Sequence, residues 1–407
     1  MRFALVGADL NALAAARAVA AFPGHEFTCL VAGSQSETRL AGFGARLRYC
    51  RGWEELLTDP DVDSVIVTGA GDDAQQAVRQ LVAAGKKVLL PPALTQPAPF
   101  FYELALLEAE NPGSLFPLLG LRGHPLVLKL RDLIIHDGLG RMRHARLERK
   151  LAPSTTGAGP LFREDDLAAA LLVDADLLRT LCGAYDQVTA LRSGDAEHGF
   201  SLATVTLAGR SAPQAVWTAA AGGDNDWRLT LTGDRGTAVL EGDPSRAWFH
   251  LTVDRGGQQE IDETQSDAAF PWLVEQFSAA AARPPMADSE VANSEAPPRH
   301  SFWDELARDV ELVDAVERSV RRRRTIDVFF DTPSERGIFK TQMTAVGCCL
   351  LVLTPAAIVI YLALAANIAI PPLVKRVLVA LLFLPLGVFL VLQLLLFISR
   401  PASREGR

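Results

Sequence analysis

The chain has 407 residues, 49% hydrophobic and 22% charged, and its 48 acidic against 40 basic residues leave a formal net charge of −8. That length holds more than one domain, and the acidic balance gives no support for nucleic acid as a partner. Its five cysteines show no paired spacing, which suits a reducing compartment.

Residues 2–7 predict a strand entering a turn at Gly7, residues 10–21 an alanine-rich helix and residues 26–32 a second strand. Together they form one βαβ unit, the start of a Rossmann-type parallel sheet. A short helix follows at 53–57, a buried strand at 63–68, an amphipathic helix at 73–84 and a strand around Val88-Leu89-Leu90. A further helix over 100–110 and a strand over 114–119 close a first, α/β domain spanning 1–121.

Residues 122–330 have a different rhythm. Runs at 142–152, 200–208, 214–221, 227–232, 237–241 and 247–253 alternate apolar and polar residues between glycine or aspartate turns. That is the pattern of an open antiparallel sheet with one face on helices, so the second domain reads as α+β. Residues 284–298 form a polar, proline-bounded insertion.

After a linker over 331–342, residues 343–366 and 377–398 are each long enough to cross a bilayer as a helix and carry no charge. They predict a two-helix transmembrane hairpin over 343–398, with Pro371-Pro372 in the turn, a basic tail over 399–407 and the lipid bilayer as partner. Pro355 and Pro385 are compatible with membrane helices. Met1-Arg2-Phe3 leads straight into a strand without a leader, so the soluble domains are expected on the cytoplasmic side of a membrane. Lys340 and the tail arginines agree with that orientation, while Lys375-Arg376 weigh against it. Arg321-Arg322-Arg323-Arg324 reads equally well as a contact for anionic lipid or as a solvated turn complementing a helix dipole.

Several motifs in order carry a resemblance. Gly7, the run Glu54 to Asp63, Ala84-Gly85-Lys86-Lys87, Arg122-Gly123-His124-Pro125, His136-Asp137-Gly138-Leu139-Gly140, the hairpin Leu231 to Gly242 and the helix Glu311 to Ser319 resemble the Gfo/Idh/MocA (glucose-fructose oxidoreductase / inositol dehydrogenase) family over roughly residues 1 to 330. The resemblance implies NAD or NADP in the first domain and a sugar-like small molecule on one side of the second-domain sheet. The other side of that sheet is then a candidate homo-oligomer interface.

Members of that family use a Glu-Lys-Pro motif, with an Asp and a His on a helix of the second domain, to move a proton while hydride passes to nicotinamide. Aligned on Gly85-Lys86, this chain has Pro91 at the glutamate, Pro92 at the lysine and Ala93 at the proline. Proline has no ionisable group and no N–H, so it neither exchanges a proton nor donates to a hydroxyl. Lys86 and Lys87 read as a solvated pair. On the helix ending at Gly183, Asp176 fits the trailing aspartate, but Val173 stands at the histidine and Ala169 at the leading aspartate. Asp174 lies about 100° around the helix from the histidine's face and reads as an exposed helix aspartate.

The dinucleotide fingerprint Gly7-Ala8-Asp9-Leu10-Asn11-Ala12 places Asp9 where glycine lets the backbone approach the pyrophosphate. At about 4 Å such a like-charge contact costs roughly 1 to 4 kcal/mol. Asp9 suits the N-cap of the following helix, and Ala12 is tolerable at the third position. Gly33 and Ser34 stand where an acid would hold the ribose, with Arg39 and Arg46 the nearest cations, and Thr68-Gly69-Ala70 replaces the family's Thr-Pro-Asn turn. No metal is expected. The sequence therefore reads as a membrane-anchored oxidoreductase-like pseudoenzyme that binds a ligand or serves as a scaffold. The alternatives are an active NAD(P)-dependent oxidoreductase acting on a sugar, inositol or related polyol with rearranged catalytic residues, and an interaction module with a closed pocket.

Overall fold

The computed structural model describes residues 1–7, 10–31, 47–68, 72–91, 98–151, 161–195, 199–222, 226–243, 248–265, 269–281 and 302–328. Met1–Phe330 forms one compact unit and Asp331–Arg407 a second. The second unit, with both apolar segments, lies wholly outside the described residues, as do Ala8, Asp9, Gly33, Ser34, Arg39, Arg46, Pro92, Ala93 and the 284–298 insertion. Among the described residues no helix is long and apolar enough to cross a membrane.

The first sheet is built from β1 (Arg2–Val6), β2 (Glu26–Val31), β3 (Arg48–Tyr49), β4 (Ser64–Val67), β5 (Lys87–Leu90) and β6 (Leu115–Pro117). Helices α1 (Leu10–Ala21), α2 (Asp72–Ala83) and α3 (Ala98–Glu110) connect them, and Trp53–Leu56 makes a short 3₁₀ turn. The order is β3-β2-β1-β4-β5-β6, and every pairing is parallel. Crossover helices force both faces of such a sheet to be apolar, which is why its strands read as continuous hydrophobic runs.

Strand alternation sorts those runs into two layers. Ala4, Val6, Val65, Val67, Val88 and Leu90 face Ala77, Val78, Leu81 and Leu104 on α2 and α3. Phe3, Leu5, Ile66 and Leu89 face Leu13, Ala16 and Val19 on α1. The second layer is completed from far along the chain, by Leu273, Val274 and Phe277 of a helix over Ala269–Ala281. Each such fully buried side chain contributes about 1.5–3 kcal/mol.

After a 3₁₀ turn at Gly120–Gly123, α4 (Pro125–Ile135) leads to β7 (Met142–Leu151), α5 (Glu164–Cys182), β8 (Gln187–Asp195), β9 (Gly199–Ala208), β10 (Gln214–Ala221), β11 (Trp227–Gly233), β12 (Thr237–Asp243), β13 (Trp248–Arg255) and β14 (Gln258–Gln265). The Ala269–Ala281 helix is α6, followed by α7 (Phe302–Arg322) and β15 (Ile326–Asp327). The second sheet runs β14-β13-β12-β11-β7-β10-β9-β8-β15. It is mixed rather than wholly antiparallel, because β7 and β10 pair in parallel from Gln214↔His144 to Ala221↔Leu151. The chain leaves β7 through α5 to the far edge and returns by the β8-β9-β10 meander, so β10 arrives beside β7 pointing the same way. Helix α7 belongs to the core that joins both sheets, through Leu312, Val313 and Val316.

Two expectations about side chains are corrected. Cys29 and Cys50, 21 residues apart in sequence, form a disulfide. Parallel pairing of β2 with β3 brings them together, with the Cys50 N–H donating to Leu30 O at 2.9 Å, a proximity that spacing does not reveal. Lys86 and Lys87 are half-buried rather than solvated: the Lys86 ammonium donates to the carbonyls of Asp59 at 2.6 Å and Val62 at 2.7 Å, and Lys87 donates to Ala281 on α6. Burial lowers both lysine pKa values.

Candidate active site at the sheet switch point

Strand order reverses between β1 and β4, and in open α/β sheets the crevice beyond the carboxyl ends at such a point holds the ligand. Gly7 and Thr68 form its described floor. The Gly7 N–H donates to Val31 O at 3.0 Å, tying β1 to β2. Thr68 ties β4 to β1 twice, through its N–H at 2.8 Å and its hydroxyl at 3.1 Å, both donating to Val6 O. Gly7 has φ +87°, and a Cβ there would lie 2.2 Å from Thr68 Oγ1 and 2.8 Å from Thr68 O. Glycine is required at this position by φ and by space together. Pro91 closes the described floor at the end of β5, half-buried.

Helix α5 carries the remaining sequence-predicted residues. Val173 is half-buried and Ala169 exposed. Asp174, expected on an exposed face, is 0% exposed. Its carboxylate accepts from the indole N–H of Trp217 at 2.7 Å and of Trp227 at 3.0 Å, with Arg149 Nε 3.4 Å away. Two-residue periodicity places both tryptophans on the sheet face that meets α5, and Trp227 lies opposite Arg149 in register. The helix is buried on almost every side from Leu171 to Leu178, so a turn away from the histidine's face does not lead to water. Burial pushes the Asp174 carboxyl above its ordinary range, with Arg149 and the two indoles acting in the other direction. Both oxygens are engaged, and Asp174 has no free edge to offer a substrate.

Asp176 is likewise engaged by a buried partner. The Arg122 guanidinium donates through Nε to both Asp176 oxygens, at 2.8 and 3.0 Å. Asp309 of α7 lies 4.0 Å from Arg122 and pairs with Arg179, which also donates to Glu305 at 2.7 Å. This buried network fastens the 3₁₀ turn at Gly120–Gly123 to α5 and α7. Burial first, then the adjacent Asp176, push the Asp309 carboxyl well above its ordinary range, and the opposing pull of Arg179 does not overcome them.

The two histidines of the motif residues, His124 and His136, lie on other elements than α5. His124 is buried with its ring 4.7 Å from Phe249, and His136 sits exposed at the end of α4 with Nδ1 2.8 Å from Asp132 O. The structure thus brings Gly7 and Thr68 together at the floor, while Asp174 and Asp176 serve packing. Ala12 lies in α1, but its side chain, like Ala8, Asp9, Gly33, Ser34 and Pro92, is outside the described residues. Among the described residues no group of three or more His, Cys, Asp or Glu could hold a metal. The partners that sequence reasoning missed, Arg122, Trp217 and Trp227, left one signal: polar-tipped large residues at inward-facing strand or turn positions, each needing a buried acceptor.

No protein-family model matches the chain, and no curated protein matches it. Solved structures do. A myo-inositol dehydrogenase from Corynebacterium glutamicum is 16% identical, with 82% of this chain and 99% of that one covered at a TM-score of 0.60. An NAD binding oxidoreductase from Klebsiella pneumoniae is 16% identical, covering 81% and 99% at 0.63. A levoglucosan dehydrogenase in complex with NADH and levoglucosan is 14% identical, covering 81% and 99% at 0.62. At these identities the likeness shows the fold.

Proposed function

We propose that this chain, which has the fold of the Gfo/Idh/MocA oxidoreductases, is a membrane-anchored, oxidoreductase-like protein that keeps the family's crevice without its ordinary hydride-transfer chemistry. It serves as a ligand-binding or scaffold protein. The observation that carries this reading is on α5: Val173 stands at the histidine position, and the nearest carboxylate, Asp174, is locked between two indoles. A sugar hydroxyl there has no proton acceptor from this helix.

The residues present fit a dinucleotide in part. Gly7 permits close backbone approach at the switch point, whereas Asp9, next before α1 in sequence, opposes a pyrophosphate by charge. NAD or NADP would supply hydride chemistry; Gly7 and Thr68 would floor its site. The intact floor, with NADH present in the levoglucosan dehydrogenase complex, supports the second reading, an active oxidoreductase on a sugar, inositol or related polyol with rearranged groups. Titrating NADH and NADPH into a chain truncated after Phe330, then assaying sugar-dependent reduction of NAD(P), separates the two. Weak cofactor binding and no turnover agree with the first reading. Tight binding with turnover sinks it.

The anchor is the pair of apolar segments over 343–366 and 377–398, with the large unit on the cytoplasmic side. The full chain should resist carbonate extraction and the truncated one should be soluble; recovery of the intact chain in the soluble fraction refutes the anchor. Homo-oligomerisation is assigned to the open sheet face, where Leu191 is 70% and Leu202 40% exposed on adjoining strands.

A further inference from the structure

Arginines in and around α7 are handled in two ways. Arg308 pairs with Glu305 at 3.8 Å, and Arg318 with Glu311 at 2.7 Å and Asp314 at 3.3 Å. Packed against the helix, Arg179 pairs with Asp309, and Arg192 with Glu317 at 2.9 Å. Arg321, Arg322, Arg323 and Arg324 are all exposed, and none of them forms an ion pair with another described residue. Arg321 lies near enough to Glu164 to help hold its pKa down, an effect led by Arg192. Complementing the helix dipole accounts for Arg321 and Arg322, which lie in the last turn, but not for Arg323 and Arg324 beyond it.

The turn that presents them is anchored from below. Arg323 has φ 51°, a conformation L side chains rarely adopt. It is held there by Arg323 N–H on Val320 O and Arg324 N–H on Ser319 O, both at 3.4 Å. The fully buried Ser319 hydroxyl donates to Arg324 O at 2.7 Å and accepts from the Ala190 N–H at 2.9 Å. Beyond the arginines, Thr325 and Thr189 hydroxyls meet at 2.8 Å, Ile326 pairs with Val188, and Val328 N–H donates to Asp186 O at 2.8 Å. The four exposed arginines are therefore presented from a fixed turn beside β8.

We propose that the Arg321–Arg324 turn docks on the anionic phospholipid headgroups of the bilayer entered by the 343–366 and 377–398 segments. This rests on the membrane reading above. Between Val328 and Met343 the chain can span at most about 50 Å when fully extended, which bounds how far the proposed anchor would let the turn lie from the bilayer. With a net charge of −8 the chain as a whole is repelled by an anionic surface. Attraction requires a local concentration of unpaired cations within a Debye length of about 8–10 Å of the headgroups, which this turn supplies.

The test uses the full chain in nanodiscs of phosphatidylcholine alone or of phosphatidylcholine mixed with phosphatidylglycerol. Phenylglyoxal, a neutral arginine reagent, is applied, and modification of Arg321–Arg324 is read by mass spectrometry. The internal reference is Arg255, at the end of β13 next to the opposite edge strand of the second sheet, with its side chain 45% exposed. Labelling of the four arginines relative to Arg255 should slow about tenfold on the mixed bilayer and recover in about 0.5 M salt. In a variant with Arg322→Glu and Arg324→Glu, Arg321 and Arg323 should label equally fast on both bilayers, with carbonate resistance unchanged. Equal labelling of the wild-type turn on both bilayers overturns lipid docking while leaving the anchor standing, and is the outcome expected if the patch serves an acidic protein instead. Release of the chain by carbonate overturns the anchor and the docking together.

Discussion

The floor of the crevice and the helix proposed as its wall, α5, are built differently. The floor is backbone: Gly7, Val31, Val6 and Thr68 are stitched by hydrogen bonds that the parallel sheet needs whether or not anything binds above them. The proposed wall is side chains, and there Val173 stands where the family resemblance would place a histidine. Its carboxylates have been absorbed into packing, Asp174 by Trp217 and Trp227 and Asp176 by Arg122. A retained glycine or aspartate is thus no sign of retained chemistry when its own neighbours already require it. Gly7 would be kept for Thr68 alone, since a Cβ would meet that residue at 2.2 Å.

The sharpest break in the comparison is Asp174→Ala. It leaves two indole N–H groups and Arg149 buried without their acceptor, which should cost about 3–5 kcal/mol. The measurement is the urea midpoint of the chain truncated after Phe330, and a loss under about 1 kcal/mol would show that Asp174 is dispensable to packing. Gly7→Ala tests the floor in the same assay and should cost about 2 kcal/mol or more. Gly85→Ala is its control, because Gly85 also has positive φ, +77°, but nothing lies within 4 Å of its added Cβ. Equal losses at the two glycines would mean that the Thr68 contact contributes nothing.

A smaller effect comes from the network beneath the wall. The folded-state pKa of Asp309 is raised, so the folded chain holds a proton that the unfolded chain releases. Its contribution to stability is therefore full below the ordinary carboxylate pKa, 3.8, and is lost as pH rises through the folded value. Over that window unfolding free energy should fall by up to about 1.4 kcal/mol per pH unit, and Asp309→Asn should flatten the slope. An unchanged slope in the variant would place the titration elsewhere.

How much was legible follows the same division between backbone and side chain. Helix α1 coincides with the predicted 10–21, and β1, β2 and β4 differ from their predicted ranges by a residue or so, because strands buried on both faces print unbroken apolar runs. Strand β14, Gln258–Gln265, is polar but for Ile261 and exists through its register with β13, so no hydrophobic pattern announces it. The parallel β7–β10 pairing depends on a crossover through α5 that local alternation does not encode. At the site, counting along α5 placed Val173, Asp174 and Asp176 on one helix, as the structure has them, but took Asp174 for an exposed residue. What the count lacked was the far side of the helix: with sheet tryptophans on one flank and α7 on another, both faces are interior.

The cofactor step should respond more weakly. Asp9→Gly removes one like charge from the expected pyrophosphate position, worth about 1 kcal/mol when solvated, so NADH should bind roughly fivefold tighter by fluorescence titration. Low-micromolar binding by the unmodified chain would show that Asp9 does not oppose the cofactor.

The smallest expected signal is also the most direct comparison of floor and wall. Asp9→Gly improves the floor alone and should yield no sugar-dependent reduction of NAD(P), because on the proposed alignment Pro92 and Val173 stand where the family has lysine and histidine and offer no proton acceptor. Adding Pro92→Lys and Val173→His supplies a proton acceptor to the wall, a function worth about 10²–10⁴-fold where it is well placed. Slow turnover is expected in the combined variant and in none of the single ones. Val173→His is the less disruptive change, since that side chain is half-buried and already borders solvent, whereas Pro92 follows Pro91 at the strand's end. Circular dichroism and the urea midpoint show whether the combined variant keeps its fold. If it does, and if the unmodified chain already reduces NAD(P) robustly with any sugar or inositol, proton transfer runs through other groups and the wall has been rearranged rather than emptied.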